Sequence, residues 1–356
     1  MKIKRVFGVM LSLIILMGII KVPVEASYIE YTDVEVIKAE EKISYMVPDK
    51  TKTIKYVFTK KSQGKWIPVQ PQQDGILCIG EGTSIYDSNK KLVQNIKDTE
   101  DGGIFIKNVK KTDVFFIKLP DDMKENIVVN ISIKKDNVPS LKNDILYTQS
   151  GQNKNIYQMF NVKKRSIQPI YVAPVCYNGS NVVFYIQKKN NGKWVSITQK
   201  MTVSANDHVQ KEFYTGLKQG QYRLVSKAAE NQIYQIRIKN SALTSKYQTK
   251  QTKAQKVKLK KTVTNLYTTT EKASRWYRMS RATSRYKRYV KMSVKNNSGK
   301  MKFTIYKKGR KKALKSYTLS GNSSKTYRLK NGSGTYYVKV SKSGSRMNGE
   351  YKIQYK

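Results

Sequence analysis

The side chains able to do covalent or metal chemistry are few in this chain, and they are scattered. A single histidine, His208, sits in the turn-like run Ala205-Asn206-Asp207-His208, so at most one imidazole is available to a triad or a metal site. Asp207, next in sequence, does not orient that imidazole toward a nucleophile, and no Gly-x-Ser-x-Gly elbow occurs. Cys78 and Cys176 have no histidine nearby to make a thiolate, and zinc-ligand spacing is absent. Paired carboxylates can cleave a glycosidic bond without histidine. Here the acids of residues 27–140 are evenly mixed with lysines, and Glu212 and Glu230 stand alone. The glycines fall in hairpin turns rather than in a phosphate-binding loop. Asp98, Glu100, Asp101, Gly102 and Gly103 form an acidic loop, but its spacing fits no EF-hand calcium site. No catalytic, cofactor or metal site is expected, and a hydrolase in the first domain is the least favoured reading.

Binding chemistry is concentrated instead in the cations. The chain carries 69 Lys and Arg against 24 Asp and Glu, a formal net charge of +45. Residues 27–140 hold 18 cations against 17 acids, residues 141–240 hold 15 against 4, and residues 241–356 hold 32 against 2. Such asymmetry creates a strong field and does nothing for folding, so it speaks about partners. The densest groups are Lys307, Lys308, Arg310, Lys311 and Lys312 with Lys315; Lys256, Lys258, Lys260 and Lys261; and Arg285, Lys287 and Arg288. The first group lies on a hairpin tip that projects its charges together into solvent. These thirteen residues are the candidate polyanion-binding set. Tyr277, Tyr286, Tyr289, Tyr306, Tyr317 and Tyr327 interleave with the cations, as stacking or as core side chains.

The elements that must carry these charges are strands. Helical periodicity is nearly absent, and alternating β-branched and tyrosine-rich segments recur throughout. At the C-terminus Tyr336, Val338 and Val340 alternate with polar residues. After Gly344 and Gly349, so do Tyr351, Ile353 and Tyr355, which predicts an antiparallel pair. Similar runs precede it: Leu217–Tyr222 with Tyr234, Ile236 and Ile238, and Val109–Leu119 with Ile127, Val129, Ile131 and Ile133. Three occurrences at a spacing of roughly 105–120 residues predict three similar domains. The outward positions change from Asn130, Ser132 and Lys134, through Gln235, Arg237 and Lys239, to Lys352, Gln354 and Lys356.

The glycine turn, Tyr-Tyr-x-x-Val strand and closing Tyr-x-Ile-x-Tyr strand resemble the bacterial pre-peptidase C-terminal domain. The resemblance is greatest over residues 270–356, less over 155–240 and least over 50–135. It implies small jelly-roll-like β-sandwiches of the kind appended to secreted enzymes and surface proteins. It further implies a mostly noncatalytic role, some members binding collagen or polysaccharide. Calcium-assisted members use acids near the start of the domain, where residues 255–280 offer only Glu271.

The expected fold is all-β: three tandem jelly-roll-like antiparallel β-sandwich domains after a signal peptide. Lys2, Lys4 and Arg5 before the apolar run Val6–Ile20, then Val24-Glu25-Ala26, lay out a secretory signal over 1–26. The first, nearly neutral domain spans 27–136 and a linker spans 137–155. The second domain spans 156–240, a basic linker 241–262, and the strongly basic third domain 263–356. Cys78 and Cys176 sit in apolar segments of different domains and read as separately buried thiols. Export directs the cationic domain toward an anionic cell-wall polymer or extracellular glycan rather than nucleic acid, leaving the first domain for a protein partner. An adhesin for collagen or polysaccharide is the second reading. Its place would be extracellular, or noncovalently cell-surface associated.

Overall fold

The computed structural model describes residues 34–39, 46, 48, 53–80, 84–93, 96–97, 104–175, 180–205, 211–230, 232–243, 246–283, 285–330 and 332–356. The signal segment, the Asp98–Gly103 loop, Cys176 and His208 lie outside them. Among the described residues there is no α-helix, and the strands gather around three hydrophobic cores.

The first core is enclosed by β1 (Val34–Ala39), β2 (Thr53–Phe58), β3 (Trp66–Val69), β4 (Gly75–Ile79), β5 (Ile85–Tyr86), β6 (Ile96–Lys97), β7 (Ile104–Val109), β8 (Phe115–Lys118) and β9 (Ile127–Lys134). One layer runs β1-β2-β9-β4-β7-β6 and the other β3-β8-β5. Phe58, Val69, Leu77, Ile117 and Ile131 fill the space between them.

The second core lies between β10 (Leu146–Ser150), β11 (Ile156–Val162), β12 (Ser166–Pro174), β13 (Val182–Asn190), β14 (Lys193–Ser196), β15 (Met201–Val203), β16 (Lys211–Leu217), β17 (Gly220–Lys227), β18 (Ile233–Ile238) and β19 (Ser241–Ala242). Its layers are β10-β18-β12-β16, with β19 on β12, and β11-β17-β13-β14, with β15 on β13. The β13–β14 hairpin turns at Asn191 and Gly192, both at positive φ (47° and 78°). That is the geometry for which an Asn-Gly pair is suited.

The third core is built by β20 (Gln255–Lys256), β21 (Thr262–Tyr267), β22 (Arg275–Arg281), β23 (Tyr289–Lys307), β24 (Lys315–Leu319), β25 (Asn322–Arg328) and β26 (Gly334–Tyr355). These form one seven-stranded sheet. Its two longest strands, β23 and β26, pair along their whole length, with register shifts near Lys295–Lys300 where both bend. The later half of β23 and the first half of β26 join β22 and β24. The other halves join β21 and β25. Met301, Phe303 and Ile305 therefore face Val290, Met292 and Val294 across a single core.

This geometry corrects the expected C-terminal hairpin. The Tyr336–Val340 and Tyr351–Tyr355 runs are two halves of the one strand β26, and each half pairs with β23. Gly344 (φ 107°) and Gly349 (φ 133°) bend the chain from one layer into the other instead of reversing it. The earlier pairs behave likewise: β17 and β18 lie in opposite layers, as do β8 and β9. Alternation shows which side of a strand meets the core, and a strand crossing between layers keeps that alternation. At Gly349 a Cβ would lie 2.4 Å from Asn296 Cβ and 2.7 Å from the Lys295 carbonyl oxygen, whereas Gly344 borders open space. Gly349→Ala should therefore cost about 2–4 kcal/mol, strain plus overpacking, while Gly344→Ala costs about 1 kcal/mol of strain alone. Denaturant midpoints of the two variants check this difference.

Further differences concern pairing and position. Among the described strands two pairings are parallel rather than antiparallel, β1 with β2 and β20 with β22, and isolated parallel bridges join Met46 to Val69 and Ser140 to Met159. The 137–155 stretch contributes β10, which closes the second core by pairing with β18. The 241–262 stretch contributes β19 and β20. Polar composition marked both as linkers, but edge strands tolerate polar side chains on their solvent side. On β23 Val290 starts the buried series and Tyr289, a candidate core side chain, is half-buried on the other face. Ser132 and Gln235, expected outside, are 2% exposed.

That burial comes from packing between domains. Ile76, Cys78 and Phe105 on the outer side of β4 and β7 meet Val175 and Ile233 of the second domain. The Cys78 thiol is free and buried, and burial pushes it up to about 12. Between the second and third domains, Ile167 and Tyr214 pack on Leu266.

Candidate functional site

The third domain has two carboxylate side chains, and both are engaged away from its cationic groups. Glu271 Oε2 pairs with Arg275 Nη2 at 2.9 Å and Glu271 Oε1 with Arg165 Nε of the second domain at 3.4 Å. Arg275 is 1% exposed, with its guanidinium 3.9 Å from the Tyr267 ring centroid and 4.0 Å from that of Tyr247. Arg275 and Arg165 both donate to Asn265 Oδ1 at 3.1 Å and to the Leu266 carbonyl. Desolvation pushes the Glu271 carboxyl upward, but Arg275, the Thr268 N–H and Arg165 together outweigh it and hold the group below its usual range. The acid at the start of the domain is thus consumed by an interdomain ion pair. No group of three or more His, Cys, Asp or Glu able to hold a metal occurs among the described residues. The second acid, Glu350, pairs with Lys352 at 3.2 Å.

At the opposite end of this domain the backbone gathers the cations. The turn at Lys258–Lys261 is tied to the last strand by Lys260 N–H donating to the Tyr355 carbonyl (2.8 Å). Tyr289 N–H donates to the Lys356 carbonyl (2.7 Å), and Leu329 N–H to the Arg288 carbonyl (2.9 Å). Lys308 N–H donates to the Thr335 carbonyl (2.8 Å), which brings in the 307–315 hairpin. Arg281 and Tyr355 then close the two layers over each other. Arg281 donates to the carbonyls of Leu329, Gly332 (3.3 Å) and Tyr286 (3.1 Å), and the Tyr355 hydroxyl donates to the Ser280 carbonyl (2.9 Å). Lys260, Lys261, Arg285, Lys287, Arg288, Lys307 and Lys308 consequently share one end of the domain, Arg288 and Lys307 half-buried and the rest exposed.

The remaining candidates take other places. Arg310, Lys311 and Lys312 are exposed on the hairpin tip, where Gly309 adopts φ 82°. Lys315 opens β24 at one edge of the β20-β22-β26-β23-β24 order, while Lys256 lies on β20 at the other edge with Lys258 just beyond it. Sequence reasoning missed three more exposed cations at this end, Arg328, Lys330 and Lys356. They are isolated in sequence, and only the meeting of β25, its following turn and the C-terminus groups them.

Between the two edges the outer face carries aromatic rings. Trp276 lies 5.6 Å from Tyr306, with Lys339 Nζ 5.6 Å over the indole. Strand register sets Tyr337 between Arg278 and Tyr306. Of the tyrosines interleaved with cations, Tyr277 is core, hydrogen-bonded to Tyr351 at 2.6 Å, and its hydroxyl is shifted far up by burial. Tyr286 is 52% exposed. The arrangement offers a cationic end and an aromatic–cationic face on one rigid sheet, chemistry suited to holding an anionic chain.

No family model matches the chain, and no curated protein matches it either. Among solved structures it is similar to the pre-peptidase C-terminal domain of collagenase from Bacillus anthracis, at 18% identity over 29% of this chain and 95% of that one, with a TM-score of 0.25. It is similar to the PBSX exported protein XepA at 12% identity, over 61% of this chain and 83% of that one, with a TM-score of 0.18. A Bacteroides ovatus protein of a mixed-linkage glucan utilization locus, solved with a mixed-linkage heptasaccharide, aligns at 11% identity over 89% of this chain and 74% of that one, with a TM-score of 0.13. These scores are low, and the all-β class rests on the strand pairings above.

Proposed function

We propose that this is a noncatalytic exported protein that holds an anionic cell-surface or wall polymer through its third domain. The observation that carries this reading is the placement of charge. Residues 241–356 have 32 cations and 2 acids, and both acids are tied into ion pairs remote from the cationic end. Self-repulsion of that size lowers stability unless a partner neutralises it. The Trp276–Tyr306–Tyr337 face supports a polymer containing sugar rings between its charges, because aromatic faces stack on flat apolar surfaces. In this reading the nearly neutral first domain is left free for a protein partner.

Sedimenting the full-length mature chain with anionic cell walls, at low and high salt, tests the idea. Binding should be strong at low salt and released by high salt. Binding that high salt leaves intact, or binding retained after third-domain cations are replaced, would sink it. Retention on collagen at high salt would favour the adhesin reading. A chain cut at Asn240 is a poorer probe, because it exposes Ile167 and Tyr214 and removes Glu271 from Arg165.

A further inference from the structure

The outer face of the β11-β17-β13-β14 layer, in the second domain, presents a chemistry distinct from the cationic end. Arg223 on β17 lies between two rings, its guanidinium carbon 4.2 Å from the Tyr157 centroid and 4.6 Å from the Trp194 centroid. Its Nε donates to Gln187 Oε1 at 2.7 Å. Its two Nη groups have no protein partner among the described residues. Tyr157 is 46% exposed and its neighbour Met159 37% exposed, so this part of the face is open to solvent, and Trp194 is half-buried. The outward positions of these four strands, taken from their register, include no Asp or Glu.

A guanidinium clamped by two rings and one hydrogen bond has given up its rotamer freedom before any ligand arrives. Its open Nη edge is a planar fork matched to the two oxygens of a carboxylate. Tyr157, nearly half exposed, leaves ring surface for a flat apolar group such as the C–H side of a pyranose, and the half-buried Trp194 stands across Arg223 from it. Asn161 and Gln221, opposite each other on β11 and β17, supply amides suited to hydroxyl groups. A peptide partner would more readily pair with a sheet edge through its main chain, whereas these groups sit on a face.

We propose that this face binds an acidic polysaccharide, Arg223 receiving a uronate carboxylate while Tyr157 and Trp194 stack against its sugar rings. The site is independent of the third-domain reading, and either can fail alone.

Polygalacturonate and its methyl-esterified form are suitable probes. Binding to the full mature chain is measured by calorimetry at about 0.5 M salt, where the Debye length falls to a few ångströms and the third-domain field is screened. The acid form should bind and the ester should not. Arg223→Lys, which keeps the charge and loses the fork, and Tyr157→Ser should each weaken binding at least about tenfold. A chain neutralised at its third-domain cations should keep this binding. Thermal melts check folding, and Tyr157→Ser, altering an exposed ring, keeps the test readable if Arg223→Lys does not fold. The proposal fails if polygalacturonate does not bind, if either folded variant binds like the parent, if the ester binds equally well, or if polyglutamate binds as tightly.

Discussion

Replacing Lys260, Lys308, Arg310, Lys311 and Lys312 together by glutamine should lower low-salt affinity for an anionic wall polymer by three to four orders of magnitude. A cation held at a strongly anionic surface is worth about 1 kcal/mol, so five of them amount to about 5 kcal/mol. The salt dependence should flatten as well. Each lost contact to a linear polyphosphate removes roughly 0.7–0.9 from the slope of log affinity against log salt, so the five together remove roughly 4. All five side chains are exposed, and none supports the core. The variant should melt at or slightly above the parent temperature, since mutual repulsion falls. A sedimentation isotherm with cell walls at several salt concentrations measures both quantities. An unchanged slope would show that these side chains do not meet the polymer.

Arg275→Met should destabilise the protein by about 3–5 kcal/mol, the usual cost of removing one partner from a buried ion pair. Glu271, with a side chain only 10% exposed, would keep Arg165 at 3.4 Å as its ion-pair partner among the described residues, with Lys218 and Lys342 acting from farther away. The guanidinium between Tyr247 and Tyr267 would be lost with it. Acid gives a second signature. In the parent the Glu271 carboxyl is held below its usual range. Its contribution is therefore fully present above the unfolded value of about 4.3 and is lost as pH falls through the folded value. Without Arg275, desolvation favours the protonated acid, so stability should fall less between pH 5 and 3 than in the parent. Adding Glu271→Gln to Arg275→Met should recover part of the loss. Thermal melts across that pH range test the whole set, and an acid response identical in parent and variant would remove Arg275 from this role.

Several features are legible in the sequence itself. Alternation at Val129, Ile131 and Ile133, at Ile236 and Ile238, and at Tyr351, Ile353 and Tyr355 identified strands and their buried sides. An Asn-Gly pair such as Asn191-Gly192 is a local turn signal of the same kind, and both of its residues reach positive φ. The exposed tip Arg310–Lys312 was visible as a run of charge around a glycine. Local chemistry decides such features, and local chemistry is what a sequence displays.

Strand partnership was less accessible. Tyr336–Val340 and Tyr351–Tyr355 carry the pattern of two paired strands, yet they are halves of β26 on opposite sides of one core. Pairing across a glycine and bending across a glycine leave the same alternation, and only long-range contact with β23 distinguishes them. Ser132 and Gln235 carried the pattern of solvent-facing positions and are buried where neighbouring domains meet. Polar side chains on one strand do not reveal what covers them.

The proposed binding surfaces divide in the same way. Composition alone determined that residues 241–356 bear a large uncompensated positive charge. Tertiary structure decided where that charge gathers, because Arg328, Lys330 and Lys356 join Lys260 and Lys308 only after the two layers close through Arg281 and Tyr355. It also turned Arg275, one cation among many in the sequence, into a buried clamp, and placed Arg223 between Tyr157 and Trp194. Net charge is a sum over residues and survives any arrangement of the chain, whereas a site depends on distances between residues far apart in sequence, and folding sets those distances.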